Sequence, residues 1–252
     1  MPMRKFALIV LLGTTACSVF MTNESSIPPV AKTVPYENHW HGEVFADDYY
    51  WMREKEHPDV RAYLEAENAY TKSMTEHLGP LKTKIYDEMI ARVQQTDLSV
   101  PVRKGAFYYY VRTVEGLQYP IYCRKPAAAD RSFDAAATEL VLLDQNEMAK
   151  GLTYLGFGDI EVSDNANLYA YSTDTTGFRQ YTLHVKDLAT GAVQADLAER
   201  VTSVEWAADN RTLFYVTEDP VTKRSNKLWR RTLDGEPELL WEEADELFTI
   251  RI

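Results

Sequence analysis

Side chains that could carry out chemistry are sparse in this sequence. Its 252 residues contain five histidines. These are His39, His41, His57, His77 and His184. None stands with a serine or cysteine in a nucleophile context, and no Gly-x-Ser-x-Gly occurs, the spacing that exposes a nucleophilic serine on a strained strand-to-helix turn. We therefore predict no catalytic residue in these 252 residues.

Metal binding has one weak candidate, the pair His39 and His41. A metal site needs further ligands at suitable spacing, and none follows this pair. The only cysteines, Cys17 and Cys123, have no Cys-x-x-Cys spacing and are too few for a disulfide framework. We therefore expect no metal and no other cofactor, and Cys123 is interpreted as an inert strand thiol.

The amino-terminal residues have the layout of a secretory signal. A basic start at Arg4 and Lys5 precedes a short apolar run over residues 6–12. The run is too short to span a bilayer as a helix. Ala16 stands directly before Cys17, and a small residue before a lone cysteine resembles a bacterial lipoprotein cleavage site. We expect lipidation of Cys17.

Thr14 departs from that resemblance, because the lipoprotein site usually has leucine at this position. Ordinary signal cleavage near Ala16 is the alternative. Residues 1–17 are thus predicted to be a signal segment, and residues 18–34 a flexible, polar tether. The protein is predicted to be exported, as a periplasmic protein or as a lipoprotein anchored to a membrane through Cys17. A cytoplasmic protein is the alternative.

Composition excludes some partners. The formal net charge is −11, which disfavours nucleic acid because phosphates require a basic face. Hydrophobic residues make up 45% and aromatic residues 12% of the chain, enough for a core. The acidic balance suits a soluble protein and cationic ligands.

Helical periodicity is confined to residues 35–95. Apolar residues recur at spacings of three and four from residue 58 to residue 77, and Gly79-Pro80 then ends this helix. A second amphipathic helix is predicted from about residue 81 to residue 93. Their short connection predicts an αα-hairpin.

A repeat organises the rest of the chain. Residues 168–174 and residues 213–219 are similar β-rich runs with an offset of 45, and Asp-Asn precedes each run at positions 164–165 and 209–210. A period of 40–50 residues that contains several short strands is typical of a β-propeller blade. Two chance hairpins are the alternative. A blade cannot bury both faces of its sheet alone, so two copies indicate more.

Three further strands are predicted upstream, over residues 107–111, 119–122 and 139–143. Residues 96–252 are therefore predicted to form a partial propeller of about three blades, and Leu247 is predicted to begin another strand. His184 alternates with apolar neighbours and is predicted to face solvent. The fold class is mostly β with an amino-terminal αα-hairpin.

Several motifs resemble those of the prolyl oligopeptidase family, and of its oligopeptidase B branch in particular. They occur in the family's order and cover the chain from about Val34 onward. The motifs are Asp47–Arg53, Tyr63–Asn68, Gln118–Arg124, Ser172–Gly177 and Asp209–Val216.

The resemblance implies a serine peptidase. Family members carry an amino-terminal helical segment that packs on an α/β-hydrolase domain, and a seven-bladed propeller that restricts entry to short peptides. The oligopeptidase B branch cleaves after Arg and Lys. We expect the hydrolase domain to lie outside these residues. The resemblance places the basic-residue pocket largely in that domain, so we predict no substrate-binding residue here. This chain would then be the gating part, inactive alone, and short basic peptides would be its partners with that domain. A non-catalytic secreted binding propeller and a truncated pseudoenzyme are the alternatives.

Overall fold

The computed structural model describes residues 27–252. Cys17, the predicted signal segment and most of the predicted tether lie outside these described residues. The described part divides into two units between Val93 and Gln94. Each unit has its own internal packing and is described by itself.

A β-hairpin and two helices make up the first unit. Strands β1 (Glu37–Trp40) and β2 (Glu43–Ala46) pair in antiparallel register. The turn between them is formed by His41 and Gly42, whose φ angles are 53° and 83°. Positive φ at both central residues matches the right-handed twist of the strands, and glycine adopts it without strain.

The two predicted helices are confirmed, with a different boundary. Helix α1 (Pro58–Thr75) begins at a proline, and the His57 side chain caps it by accepting a hydrogen bond from the Asp59 amide at 3.2 Å. One 3-10 turn (Glu76–Leu78) leads into α2 (Gly79–Ile90). Gly79-Pro80 was predicted to lie between the helices, but it begins the second one. Proline is tolerated in a first helical turn, where its missing N–H has no helical partner.

Helix α2 leaves an apolar stripe exposed. Leu81, Ile85, Tyr86 and Met89 are all exposed, whereas Val60 of α1 is the buried apolar residue of the two helices. The four side chains therefore form an apolar surface that no other residue of this unit covers.

No helix within residues 27–252 has both the length and the apolar character required to cross a membrane.

Four-stranded antiparallel sheets form the second unit. In both repeat copies the strands follow chain order from one edge of the sheet to the other, which confirms the predicted blades. The strands are β8 (Gly156–Val162), β9 (Leu168–Asp174), β10 (Thr182–Asp187) and β11 (Val193–Ala198) in one copy, then β12 (Val201–Trp206), β13 (Thr212–Glu218), β14 (Ser225–Thr232) and β15 (Glu238–Glu242) in the next.

A third sheet precedes them, and its first strand was not predicted. That strand is split in two, and both pieces pair with the same second strand. Pro101 lies in the gap and cannot donate to a ladder. The sheet consists of β3 (Asp97–Leu98) and β4 (Val102–Lys104), then β5 (Phe107–Thr113), β6 (Ile121–Pro126) and β7 (Leu140–Asp144). A short helix, α3 (Gln145–Met148), follows. Three blades and the mostly β fold class are thus confirmed.

The repeat does not keep the single offset predicted for it. Ala166 and Asn210, which are 44 residues apart, occupy the same turn position with φ of 60° and 58°. In the third strands the offset is 45, because His184 pairs with Tyr171 whereas Trp229 pairs with Tyr215. The loop between the second and third strands is therefore one residue longer in the later copy.

Apolar residues pack the sheets face to face. The cluster between the second and third sheets is fully buried, and a tyrosine-rich cluster lies between the first and second sheets. Members of the former are Ala170, Leu183, Val185, Val201, Val204, Leu213 and Tyr215; members of the latter are Leu142, Leu143, Val162, Tyr169 and Tyr171. Each sheet thus buries a face against its neighbour, as blades do.

Basic residues of the third strands also link the blades. Lys186 Nζ donates to the Leu142 carbonyl at 2.7 Å, and Arg231 Nη1 donates to the Leu197 carbonyl at 2.7 Å. Lys186 and Arg231 occupy the same position of successive blades. In each case the cation donates to a carbonyl of the fourth strand of the preceding blade.

The strand predicted from Leu247 is not formed. Residues 247–252 form no strand ladder, although isolated bonds hold them, such as those from the Ile250 amide to the Ser225 carbonyl at 2.8 Å and from Arg224 Nη1 to the Phe248 carbonyl at 2.9 Å. A first strand needs the second strand of its own sheet as partner. No segment of residues 27–252 provides such a second strand for residues 247–252.

Candidate functional site

The first strands of the three blades lie side by side. Trp206 Nε1 donates to the Glu161 carbonyl at 3.2 Å, and the Val204 amide donates to Asp159 Oδ2 at 3.0 Å. Lys104 Nζ donates to the Val162 carbonyl at 2.8 Å. Strands β7, β11 and β15 form the other edges of the sheets. The first strands therefore line one surface, called here the inner surface, and this edge faces the central channel in a propeller.

Two carboxylates occupy equivalent positions on the inner surface. Glu161 pairs with Ala170 and Glu205 pairs with Phe214, the same register position in successive blades. Burial and the negative charge of Glu205 raise the pKa of Glu161 above its ordinary value. Lys104 opposes both, with Nζ 3.5 Å from Glu161 Oε2. A cation is therefore favoured beside this pair.

The glutamate pair was missed from the sequence, although a signal for it was present. With the later copy shifted by 44 residues, Ile160-Glu161-Val162 aligns with Val204-Glu205-Trp206. The predicted offset of 45 aligned Glu161 with Trp206 instead. An alignment of the first strands by their own turns would have placed both carboxylates at one position of the repeat.

His184 does not face solvent as predicted. It is half-buried and borders a polar cavity of about 380 Å³ in the second blade. Its Nε2 lies 2.8 Å from Thr173 Oγ1, and the Asp196 amide donates to its Nδ1 at 3.3 Å. Tyr171 lies against the imidazole, with ring centroids 5.1 Å apart. The cross-strand neighbours thus enclose the ring.

The hydrogen bonds of His184 run in the wrong direction for a general base. Because Nδ1 accepts the Asp196 amide proton, the neutral ring carries its own proton on Nε2 and donates it towards Thr173. A base in a catalytic triad needs a free Nε2 that accepts from the nucleophile. Burial lowers the pKa of His184, with Asp196 opposing. Thr173 and His184 are therefore structural partners.

The other residues considered from the sequence are not brought into a site. His39 and His41 belong to the exposed hairpin of the first unit. Within residues 27–252, no group of three or more His, Cys, Asp or Glu side chains could hold a metal ion. Cys123 is 1% exposed, and burial raises the pKa of its thiol to about 11, so it is not a reactive thiolate. Cys17 lies outside the described residues.

Comparison with protein families gives a match over nearly the whole chain. The model described as "Prolyl oligopeptidase, N-terminal beta-propeller domain" matches residues 28–251. The chain is 39% identical to dipeptidyl aminopeptidase BI of Pseudoxanthomonas mexicana, over 98% of this chain and 36% of that protein. It is 37% identical to Protease 2 of Moraxella lacunata, over 89% of this chain and 33% of that protein. The chain thus spans about a third of the length of these relatives.

Solved structures match both the fold and the sequence. Oligopeptidase B from Leishmania major superposes with a TM-score of 0.76 and 29% identity, over 89% of this chain and 34% of that one. Oligopeptidase B from Trypanosoma brucei, in a closed form with covalently bound antipain, gives 0.74 and 28% identity, over 88% and 33%.

Proposed function

This chain belongs to the prolyl oligopeptidase family, and on that premise we propose that it is the gating part of a serine oligopeptidase that cleaves short peptides after arginine or lysine. The observation that carries the proposal is the superposition on oligopeptidase B from Leishmania major over 89% of the chain, at 29% identity. At that identity the likeness extends beyond fold to sequence. The chain covers only a third of that structure, so the activity of the whole protein is part of the proposal.

In this proposal, the catalytic groups for peptide hydrolysis belong to a part of the protein outside these 252 residues. Acyl transfer needs a nucleophile, a base, an orienting carboxylate and oxyanion donors that converge. Within residues 27–252, both ring nitrogens of His184 are already hydrogen-bonded, to Thr173 Oγ1 and to the Asp196 amide. We expect the gene, read onward, to encode Gly-x-Ser-x-Gly followed by Asp and then His.

The exposed stripe of α2 supports a partner domain. Full burial of one large apolar side chain contributes roughly 1.5–3 kcal/mol. Leu81, Ile85, Tyr86 and Met89 together are therefore a strong docking surface. Its proposed occupant is the α/β-hydrolase domain of the same protein.

Charge supports the proposed preference for basic peptides. Glu161 and Glu205 lie on the inner surface, and the chain has a net charge of −11. Clefts of one sign of charge concentrate ligands of the opposite sign. Peptides that contain Arg or Lys would therefore enrich at this surface before they reach the catalytic groups.

Export is part of the same proposal. The basic start, the apolar run and Ala16-Cys17 support delivery beyond the cytoplasm, with the lipid of an acylated Cys17 holding the protein at a membrane. The site of action would then be the periplasmic space. Peptides in that compartment would be its substrates.

A substrate panel on the full-length protein tests the proposed activity. Blocked fluorogenic amides of Arg, Lys and Leu are compared with an unblocked dipeptide-Arg amide, because the name of the Pseudoxanthomonas relative indicates removal of dipeptides. We expect turnover of blocked Arg and Lys amides, loss with a serine reagent, and cleavage of decapeptides but not of folded proteins. Preference for blocked Leu amide would overturn the basic specificity, and turnover of unblocked substrates alone would overturn endopeptidase action.

The inner-surface glutamates are tested by charge removal. Glu161→Gln with Glu205→Gln should raise KM for a dibasic decapeptide about threefold to tenfold at low salt and leave kcat unchanged. Glu236→Gln, an exposed glutamate in the turn before β15, is the control. Because the control removes one charge and the test variant two, about half of the test effect in the control would show that only total charge matters.

A further inference from the structure

The cavity beside His184, called here the second-blade cavity, is lined by polar and charged residues throughout. It opens where β9 ends, β10 begins and β11 ends, and its volume is about 380 Å³. Pockets for small ligands start at roughly 300 Å³. A molecule of amino-acid size therefore fits in the second-blade cavity.

Four of the lining residues offer side chains that are free to bind a ligand. Gln180, Thr182, Asp196 and Glu199 form neither a side-chain hydrogen bond nor an ion pair within residues 27–252. Two carboxylates, one amide and one hydroxyl therefore border the same cavity with their acceptor oxygens unused.

The other ionisable groups of the cavity are already satisfied. Both ring nitrogens of His184 are hydrogen-bonded, and burial lowers its pKa, so the neutral ring adds no positive charge. Arg200 Nη1 lies 3.4 Å from Glu218 Oε1, and the Glu218 side chain is 11% exposed. Glu218 does not line the cavity, so the charge of Arg200 is balanced outside it. Asp196 and Glu199 thus leave the cavity with uncompensated negative charge.

The third blade provides an internal comparison, because it has a recess at the equivalent place. Trp229 takes the position of His184 there, and its Nε1 donates to Thr217 Oγ1 at 2.9 Å as His184 donates to Thr173. The walls of that recess, of about 330 Å³, include leucine, proline and tryptophan side chains, none of which borders the second-blade cavity. A recess at this position therefore follows from blade geometry, whereas its acidic lining is particular to the second blade.

Irregular backbone positions both carboxylates. The pairing of β10 with β11 shifts register between Leu183 and Val185, and Asp196 lies opposite this shift with a φ of 56°. Arg200, which follows Glu199, has a φ of 57°. Positive φ is uncommon outside glycine, and a bulge changes the direction in which a strand side chain points. The carboxylates therefore stand where regular strand geometry would not place them.

The free groups define the chemistry of a ligand. Unpaired acceptor oxygens and negative charge favour a cation that carries several N–H donors. A guanidinium group has five such donors in one plane and bonds carboxylates through two of them at once, whereas an ammonium group is a point charge. A metal ion is a poor fit, since within residues 27–252 no group of three or more His, Cys, Asp or Glu side chains could hold one.

We propose that the second-blade cavity binds the guanidinium group of arginine, either as the free amino acid or as the last residue of a peptide. Asp196 and Glu199 would form the ion pairs, and Gln180 and Thr182 would accept further N–H bonds. The inference goes beyond the proposed function, because binding here requires no catalytic group. Binding by a protein without peptidase activity would keep this inference and overturn only the proposed function.

Histidine NMR of the full-length protein tests the site directly. The protein carries histidine labelled with ¹³C at Cε1 and is treated with a serine reagent, so that no ligand is turned over. The signal missing in His184→Gln identifies His184. L-arginine should shift this signal with a Kd of about 1 mM or below, whereas citrulline, which has the same shape without the charge, should not. An unchanged His184 signal at roughly 10 mM L-arginine, or an equal shift with citrulline, would overturn the proposal.

Paired variants test the role of the carboxylates. Asp196→Asn with Glu199→Gln should weaken L-arginine binding at least tenfold. Asp164→Asn with Glu236→Gln removes the same number of charges from exposed turns that do not line the cavity, and it should weaken binding less than twofold. Equal weakening in the two double variants would overturn the site. If the first double variant melts early, Glu199→Gln alone should still weaken binding about threefold relative to Glu236→Gln alone, and no difference between these two would overturn the site.

The same titration identifies the source of the guanidinium group. Acetyl-Ala-Ala-Arg is compared with L-arginine in wild type and in Asp196→Asn with Glu199→Gln. Tighter binding of the tripeptide that the double variant abolishes would assign the cavity to peptides that end in arginine. Tighter binding of L-arginine would assign it to the free amino acid. Tripeptide and L-arginine affinities that are both unchanged in the double variant would overturn the proposal.

Discussion

Replacing Asp174 by alanine should destabilise the second blade more than any other single change in its loops. Asp174 ends β9 and is 1% exposed. Its carboxylate accepts hydrogen bonds from the Thr176 amide at 2.8 Å, Thr176 Oγ1 at 2.6 Å and the Arg179 amide at 2.7 Å. Burial alone would raise the pKa of Asp174, but these bonds outweigh it and hold the pKa below its ordinary value.

The magnitude follows from the three bonds. A hydrogen bond to a charged group contributes about 1.5–3 kcal/mol, and the exposed loop donors recover part of this from water after the substitution. We therefore expect Asp174→Ala to lower the free energy of unfolding by about 3 kcal/mol, which corresponds to a fall in Tm of about 6–12 °C at this chain length. Asp174→Asn keeps one acceptor oxygen and should cost about half as much.

Asp219→Ala is the matched control. Asp219 follows the same strand in the third blade and accepts hydrogen bonds from the Val221 and Thr222 amides, both at 2.8 Å, but it is only partly buried, whereas Asp174 is 1% exposed. Asp219→Ala should therefore lower the free energy of unfolding by less than Asp174→Ala does. Water reaches this position and can bond to the amides that the carboxylate no longer accepts from. Urea unfolding and thermal melts of the purified variants give both values.

A pH series tests the ionic part of the argument. The folded pKa of Asp174 lies below the unfolded value of about 3.9, so its contribution is fully present above that pH and is lost as pH falls through the folded pKa. The difference between wild type and Asp174→Ala should therefore shrink below about pH 4. Equal losses for Asp174→Ala and Asp219→Ala, or a difference that is independent of pH, would refute the reasoning.

Three further predictions concern the blades and the amino terminus. Arg231→Met removes the donor to the Leu197 carbonyl and should lower the free energy of unfolding by about 1–2 kcal/mol in urea. Burial lowers the pKa of His184 in the folded state. Stability should therefore fall as pH drops from the unfolded pKa of about 6.5 to the lower folded pKa, and His184→Gln should flatten this dependence in thermal melts. Mass spectrometry of the mature protein should find an acylated Cys17 at its amino terminus, and an intact Met1 terminus would refute export.

The repeat was readable from the sequence because its strands have strong local signals. Aromatic and β-branched runs favour strands, and Asp-Asn turns mark their ends. Both predicted copies are blades, and the helices of residues 58–90 were placed within a few positions. The first strand of the first blade gave no such signal. It consists of two-residue and three-residue pieces around Pro101, and only pairing with β5 makes them a strand.

The inner surface could not be predicted, because it depends on how blades meet. Glu161 and Glu205 are ordinary charged residues until the one-residue difference in the intervening loop is known. His184 shows the same limit. Alternation predicted which side of β10 it occupies, but not that Tyr171, Thr173 and the Asp196 amide enclose that side. The burial of such a side chain depends on contacts with neighbouring strands, whose residues lie far away in the sequence.

Hydrolysis of a blocked Arg-amide by the full-length protein and by the 252-residue chain, measured at equal concentration, tests the central claim most directly. The proposal predicts turnover by the full-length protein that a serine reagent abolishes, and none by the 252-residue chain, because His184 is held as a donor to Thr173. Serine-reagent-sensitive turnover by the 252-residue chain would contradict the claim and place the catalytic groups within these residues.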